Sequence, residues 1–252
     1  MSVNSFPRPP ISRRTAIIIG ASSGIGEALA HELSREGWRL GLAARRLDRL
    51  ESIRDAVGLD TTVHYMDVSR DDATAIFESF ASELGGVDLV IISSGTGHLN
   101  PKLDTGPDMD TVSVNVIGFM KLAQAAMRHF LKRGSGHLVG ITSVAALRGN
   151  RDGAVYAASK AFQSVYLDGL RELAAKSGLP ITVTEAQPGF VATAMMKIDR
   201  PLSPFVRRLI VASPEKAAHQ IARAIRRRAK HVYITKRYAL VAFLARFLPR
   251  PG

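Results

Sequence analysis

The chain contains no cysteine. Disulfides and thiolate metal sites are thereby excluded, the compartment is left open, and no other metal-ligand set stands out. The chain also lacks any apolar run near the roughly 18 to 20 residues needed to cross a bilayer, and its start lacks the apolar stretch of a secretory signal. The expectation is a soluble, cytoplasmic protein. Acidic residues are scarce in one region in particular: residues 197–252 hold 14 Lys+Arg against 2 Asp+Glu, whereas residues 1–196 hold 20 of each. The formal charge of +12 therefore belongs entirely to the C-terminal segment. No nucleic-acid partner is expected from it, because the cations of Arg223 to Lys230 form no recognition motif. The nearby aromatics lie in an apolar stretch rather than interleaved with cations as stacking platforms.

What is present is enough apolar material for one large α/β domain, 46% of 252 residues, with no composition shift that would divide it. Residues 1–14, with Pro7, Pro9 and Pro10 among Arg8, Arg13 and Arg14, read as a flexible tail; the prolines oppose an amphipathic transit helix. Strands are predicted at Ala16 to Ile19, Leu40 to Ala44, Thr62 to Tyr65, Leu89 to Ile92, His137 to Thr142, Thr182 to Glu185 and His231 to Ile234. Helices are predicted at Ile25 to Glu36, Leu47 to Val57, Ala73 to Glu83, Met109 to Phe130, Val155 to Ser177 and Pro214 to Arg228. Strands that are continuous apolar runs imply a sheet buried on both faces. The alternation predicts a single Rossmann-type doubly wound domain over 15–237, a parallel seven-stranded sheet flanked by helices, followed by an extension over 238–252.

Directly after the first strand comes Gly20-Ala-Ser22-Ser23-Gly24-Ile25-Gly26, which runs into the first helix. Glycines on a strand-to-helix turn let the backbone approach a pyrophosphate, which free N–H groups and the helix dipole then hold. An acid at the end of the second strand would accept hydrogen bonds from a ribose. This chain has Arg45 and Arg46 there, which suits the additional phosphate of NADP(H) by charge and by bidentate geometry.

Tyr156 and Lys160 stand four residues apart at the head of a predicted helix, hence on one face. An ammonium beside a phenol, together with a positively charged nicotinamide, is expected to lower its pKa and make Tyr156 a usable acid/base. Ser143 follows the fifth predicted strand, at the sheet edge where ligands of such folds bind.

These motifs together resemble the short-chain dehydrogenase/reductase family, in its NADP-preferring form of about 250 residues, from Thr15 to about Ile234. The resemblance implies a catalytic set of Asn115, Ser143, Tyr156 and Lys160, with Asn115 anchoring a water that relays protons from the lysine. It implies cofactor contacts from Gly20, Gly24 and Gly26, from the adenine-side pair Asp67 and Val68, from Ser94 and Gly95, and from Tyr156 and Lys160, the lysine on the nicotinamide ribose. Pro188, Gly189, Val191 and Thr193 would hold the carboxamide. One departure is Ile92-Ser93-Ser94-Gly95, where the family usually has Asn-Asn-Ala-Gly. The implied activity is interconversion of a ketone and a secondary alcohol on a small-molecule substrate, in a homodimer or homotetramer.

After the last predicted strand, Tyr238 to Leu248 is almost wholly apolar, too short to span a membrane but suited to covering a substrate mouth, packing in an interface or lying in a bilayer surface. The alternative is a core helix beside a solvated basic face. The tail looks like those of 11β-hydroxysteroid dehydrogenases, 3-ketosphinganine reductases and decaprenylphosphoryl-sugar ketoreductases, which points to a lipophilic substrate and leaves peripheral membrane contact open. The competing functions are a 3-oxoacyl-(acyl carrier protein) reductase and a non-catalytic NADP(H)-binding regulator. The pocket-shaping loop, roughly Met195 to Ala212, carries no readable chemistry.

Overall fold

A computed structural model describes residues 13–58, 60–149, 151–193 and 211–234. Most of the 1–14 tail, the Met195 to Ile210 part of the pocket loop and the 238–252 extension lie outside the described residues. All seven expected strands form: β1 (Thr15–Ile19), β2 (Arg39–Ala44), β3 (Thr61–Tyr65), β4 (Leu89–Ile92), β5 (Gly136–Ile141) and β6 (Ile181–Pro188), then, after a short pair β7 (Phe190–Val191) and β8 (Val211–Ala212), β9 (His231–Ile234). The seven make one parallel sheet in the order β3-β2-β1-β4-β5-β6-β9, while β7 and β8 pair separately. Every residue of β1, β4 and β5 is buried, as continuous apolar strands must be when helices cover both faces.

The helices are α1 (Gly24–Arg35), α2 (Leu47–Val57), α3 (Ala73–Glu83), α4 (Thr105–Val112), α5 (Phe119–Arg133), α6 (Ala154–Lys176) and α7 (Pro214–Arg226). One core layer joins Phe77, Phe80, Phe119, Phe130 and Leu167 from α3, α5 and α6. The other joins Leu29, Leu33, Leu50, Ile221 and Ile225 from α1, α2 and α7. The chain winds outward from β1 in one direction and from β4 in the other, so a crevice opens beyond the carboxyl ends of these two neighbours.

Two expectations change. The single helix predicted over Met109 to Phe130 begins earlier and is interrupted: α4 and α5 are joined by a π-helical turn over Ser113–Gly118. Nothing in Val-Asn-Val-Ile opposes an ordinary helix; the wider turn places Asn115 against a neighbouring loop, and such turns cluster at functional sites. The elements α2, α3, β4 and β9 keep their expected bounds, and the other ends shift by one to a few residues, most at β6, which extends through Pro188.

The basic run Arg223 to Lys230 belongs partly to α7, whose Ala218, Ile221, Ala222 and Ile225 are buried while Arg223, Arg226 and Arg227 face outward. Its start is capped by Ser213, whose hydroxyl accepts from Lys216 N at 3.3 Å, with Pro214 in the first turn. Arg226 pairs with Glu36 at the end of α1, and Arg228 donates to the Pro180 carbonyl at 3.3 Å. These described cations are the exposed face of a core helix. The edge strand β9 is pinned by His231, whose Nδ1 lies 3.1 Å from the buried Glu185 carboxylate. Burial acts to raise the Glu185 carboxyl, but hydrogen bonds from His231, Thr142 and Ser164 hold it below its usual range.

Candidate active site

The crevice holds a cavity of about 650 Å³, a size typical of small-molecule sites. Its inner wall is the glycine turn. Gly20 has φ +87°, and a Cβ there would lie 2.4 Å from Ser94 N, so only glycine lets the loop after β4 close onto the loop after β1. A Cβ on Gly26 would meet the Gly20 carbonyl oxygen at 2.3 Å, which fixes how tightly α1 abuts the turn. Ser23 sits in extended backbone ahead of α1 and its side chain does not cap the helix, so the first N–H groups face the cavity without a side-chain acceptor. The Ser94 hydroxyl, buried at the cavity wall, has no hydrogen-bond partner among the described residues.

At the β2 end, Arg46 bridges back to this turn, donating to Ser22 Oγ at 3.0 Å and to Ser23 Oγ at 2.7 Å. Arg45 lies beside Asp67, which follows β3. Burial acts to raise the Asp67 carboxyl, but hydrogen bonds from Ser69 and the charges of Arg45 and Arg70 hold it below the usual carboxylate range.

At the other end, Ser143 begins a single turn of 3-10 helix, Val144–Leu147, its hydroxyl accepting from Ala145 N at 3.1 Å. It also hydrogen-bonds the Tyr156 hydroxyl. The Tyr156 ring packs on the backbone of Gly97, where a Cβ would come within 2.6 Å of the ring. Lys160, on the same face of α6, is buried; its Nζ lies 5.9 Å from the Tyr156 ring centroid and donates to the Ile141 carbonyl at 3.2 Å and to Gln163 Oε1 at 2.9 Å.

Burial sets the direction in which each of these two side chains shifts. Burial pushes the Tyr156 phenol up, with the Ser143 hydrogen bond opposing it in part. Burial also disfavours the charged lysine, lowering it from 10.5 to about 8. Spacing along α6 gave proximity, but an ammonium engaged by two neutral acceptors in a dry setting does not outweigh the desolvation of its neighbour.

The cavity is lined by all the sequence-predicted site residues except Asn115 and Gly26. Gly26 lies behind the turn. Asn115 is fully buried, and its side chain is spent on structure: Oδ1 accepts from Thr96 N at 2.9 Å, and Nδ2 donates to the Thr96 carbonyl at 2.7 Å and to Ser159 Oγ at 3.0 Å. It holds the loop on which Gly97 meets Tyr156. Phe190 lines the cavity, Leu147 does not, and Met195 lies outside the described residues. Sequence reasoning missed Gly97, Gln163 and the pair His98 to Asp110, 2.8 Å apart at the cavity wall. Only Gln163 left a signal, as a polar residue on the buried stripe of α6.

Comparison with known proteins places this arrangement. A model of the short chain dehydrogenases matches residues 14–201. An uncharacterized oxidoreductase of Myxococcus xanthus is 33% identical over 247 residues, covering 96% of this chain and 95% of its own. Glycine betaine reductase of Emericella nidulans is 36% identical over 200 residues, covering 77% of this chain but 16% of that much larger protein. Among solved structures, a short-chain dehydrogenase of Sphingobium yanoikuyae in complex with NADPH has a TM-score of 0.78 at 23% identity, with 93% of this chain and 94% of that one covered. One from Burkholderia phymatum in complex with NAD has a TM-score of 0.80 at 20% identity, with 94% of each covered. With the glycine turn, the seven-stranded parallel sheet and a matched family model over most of its length, the chain belongs to the short-chain dehydrogenase/reductase family of oxidoreductases.

Proposed function

We propose that this protein interconverts a ketone and a secondary alcohol on a lipophilic small molecule, with NADP(H) as its cofactor. The observation that carries the reading is the convergence of Ser143, Tyr156 and Lys160 on one cavity whose far wall is the glycine turn. The cavity fits a dinucleotide: helix N–H groups without a side-chain cap, the unpartnered Ser94 hydroxyl and the side-chain-free approach at Gly20 all suit a phosphate-rich ligand. Gly20, Ser22, Ser23, Gly24 and Ile25 would hold the pyrophosphate, with Gly26 setting the turn. Asp67 and Val68 would contact the adenine, Ser94, Gly95 and Lys160 the nicotinamide ribose, and Pro188, Gly189, Val191 and Thr193 the carboxamide. When bound, the nicotinamide supplies or accepts the hydride.

The chain's own residues manage the oxygen. The Ser143 hydroxyl holds the substrate oxygen next to Tyr156. A phenol raised by burial stays protonated at neutral pH, so Tyr156 is set to donate its proton to a carbonyl oxygen as that oxygen gains charge. Lys160 keeps a positive charge behind the phenol up to about pH 8, which steadies the phenolate left after transfer. Asn115 acts as a positioning residue through Thr96 and Gly97. Leu99, Val144 and Phe190 give the substrate end apolar walls, which favours a lipophilic ketone.

The arginines support NADP(H) over NAD(H). Arg46, braced on Ser22 and Ser23, and Arg45 beside it would both face the 2′-phosphate. Removing both with Arg45→Ala/Arg46→Ala is expected to weaken NADPH at least about tenfold and NADH less than about threefold, since charge-assisted hydrogen bonds contribute about 1.5 to 3 kcal/mol. Fluorescence titration with each nucleotide measures this, alongside nucleotide oxidation against a panel of apolar ketones. Equal weakening of both nucleotides would remove the NADP assignment, and no turnover of any ketone or alcohol would remove the function.

Exposed Val165 and Leu173 on α6 and Ile117 in the π turn, 71%, 47% and 41% exposed, support a homo-oligomer. Sedimentation at micromolar concentration is expected to show a dimer or tetramer, and Val165→Lys is expected to dissociate it. A wild-type monomer would end that expectation.

A further inference from the structure

The amide of Gln163 lies between two parts of the site. Its side chain is fully buried, three residues beyond Lys160 on α6. Its Oε1 accepts from Lys160 Nζ at 2.9 Å, and its Nε2 donates to the main-chain carbonyl of Asn115 at 2.8 Å. Both functional ends of one amide are therefore engaged, one on the lysine and one on the π turn. The family resemblance implied a link between these same two groups through water. Here a side chain makes it.

We infer that Gln163 is a positioning residue for the reaction, a neutral tether that ties Lys160 Nζ through its amide to the Asn115 carbonyl and aims the remaining N–H of the lysine into the cavity beside Tyr156. The inference rests on the ketone reductase reading. An ammonium has three N–H donors. Ile141 O and Gln163 Oε1 take two, and Lys160 itself lines the cavity, so the third is directed by the other two. At neutral pH an amide neither gains nor loses a proton, so the tether orients the lysine and does not relay. Gln163 Oε1 also supports the charged form of Lys160 against its burial. Among the described residues no charged group contributes to the lysine's shift. Tyr156 is the titratable group beside it on its own helix, and Glu185, on the strand β6 packed against that helix, has its carboxylate engaged by Thr142, Ser164 and His231.

The test uses two near-isosteric variants that pull in opposite directions. Gln163→Leu removes the acceptor, and Gln163→Glu replaces it with a charged one. The titration of Lys160 is read in protein carrying 13Cε-labelled lysine, its resonance identified by its absence in Lys160→Met. The same variants are assayed for kcat and KM across pH with a ketone that the wild type reduces.

Relative to the wild type, Gln163→Leu is expected to lower the Lys160 midpoint by about one pH unit and kcat at least about tenfold, with ketone KM changed less than about threefold. Gln163→Glu is expected to raise the midpoint by about a unit or more and to carry the alkaline limb of kcat upward with it. A residue that only packs would lower activity in both variants without moving either midpoint in opposite senses, and that result overturns the inference. Because the resonance is read without substrate or nucleotide, a protein that reduces no ketone but shows the opposed shifts would sink the functional reading and leave the tether standing. Wild-type turnover with unshifted midpoints would do the reverse.

Discussion

Replacing Tyr156 with phenylalanine is expected to lower kcat/KM for ketone reduction about 10² to 10⁴-fold, the range by which a positioned acid or base accelerates proton transfer. That loss corresponds to about 3 to 5 kcal/mol of barrier. The ring itself is retained, so its packing on the Gly97 backbone survives. What disappears is the hydroxyl and its bond to Ser143, a stability change of about 1 kcal/mol in either direction. NADPH affinity in the variant is expected to remain within about threefold of the wild type, because the glycine turn and the arginines are untouched. Steady-state kinetics, nucleotide titration and thermal unfolding on one preparation separate these quantities. Turnover that persists in the variant would mean that another group delivers the proton.

Between pH 6.5 and 4 the wild type is expected to lose about 3 kcal/mol of stability that a His137→Asn variant does not lose. His137 lies on β5 with 5% of its surface exposed, its Nε2 2.8 Å from Thr184 Oγ1. Burial, with the Arg228 charge adding to it, lowers it from 6.5 to about 4. The unfolded chain therefore takes up a proton near pH 6.5 that the folded chain refuses until about 4. Stability is full above the unfolded value and drains as pH falls toward the folded one. Each pH unit of that gap is worth about 1.4 kcal/mol, and the total is a sizeable share of the about 5 to 15 kcal/mol typical of a domain. Urea titrations at half-unit intervals would show it as a widening difference between the two proteins below pH 6.5. Parallel curves would rule it out.

The strands were legible because a sheet covered on both faces needs unbroken apolar runs, and this chain supplies seven. Ser143, Tyr156 and Lys160 were legible for a related reason, since each is set by a short local spacing at the end of a strand or the head of a helix. What escaped the sequence depends on distant pairings. Asn115 was named through the resemblance, but its side-chain bonds to Thr96 and Ser159 join residues far apart in the chain. Gly97 reads as a loop glycine until Tyr156 lies against it. The burial that raises the Tyr156 phenol and lowers the Lys160 ammonium was not legible, because a four-residue spacing reports who is near and says nothing about how dry the place is. The charge of the C-terminal segment was half-legible: counting located it, and only the burial of Ile221 and Ile225 showed which described cations are the outer side of a helix.

The π turn over Ser113–Gly118 reaches beyond Asn115. An ordinary helix advances about 100° per residue, so the widened turn also sets the phase at which α5 leaves it. Leu122, Ala126 and Phe130 are the buried stripe of α5 that this phase turns to the core. Shortening the segment by one residue to restore regular winding would rotate this stripe toward solvent by more than a quarter of a revolution. The scaffold beneath the cavity and the contact that braces the Thr96 loop are therefore indexed to the same irregularity, and a change in one must be matched in the other.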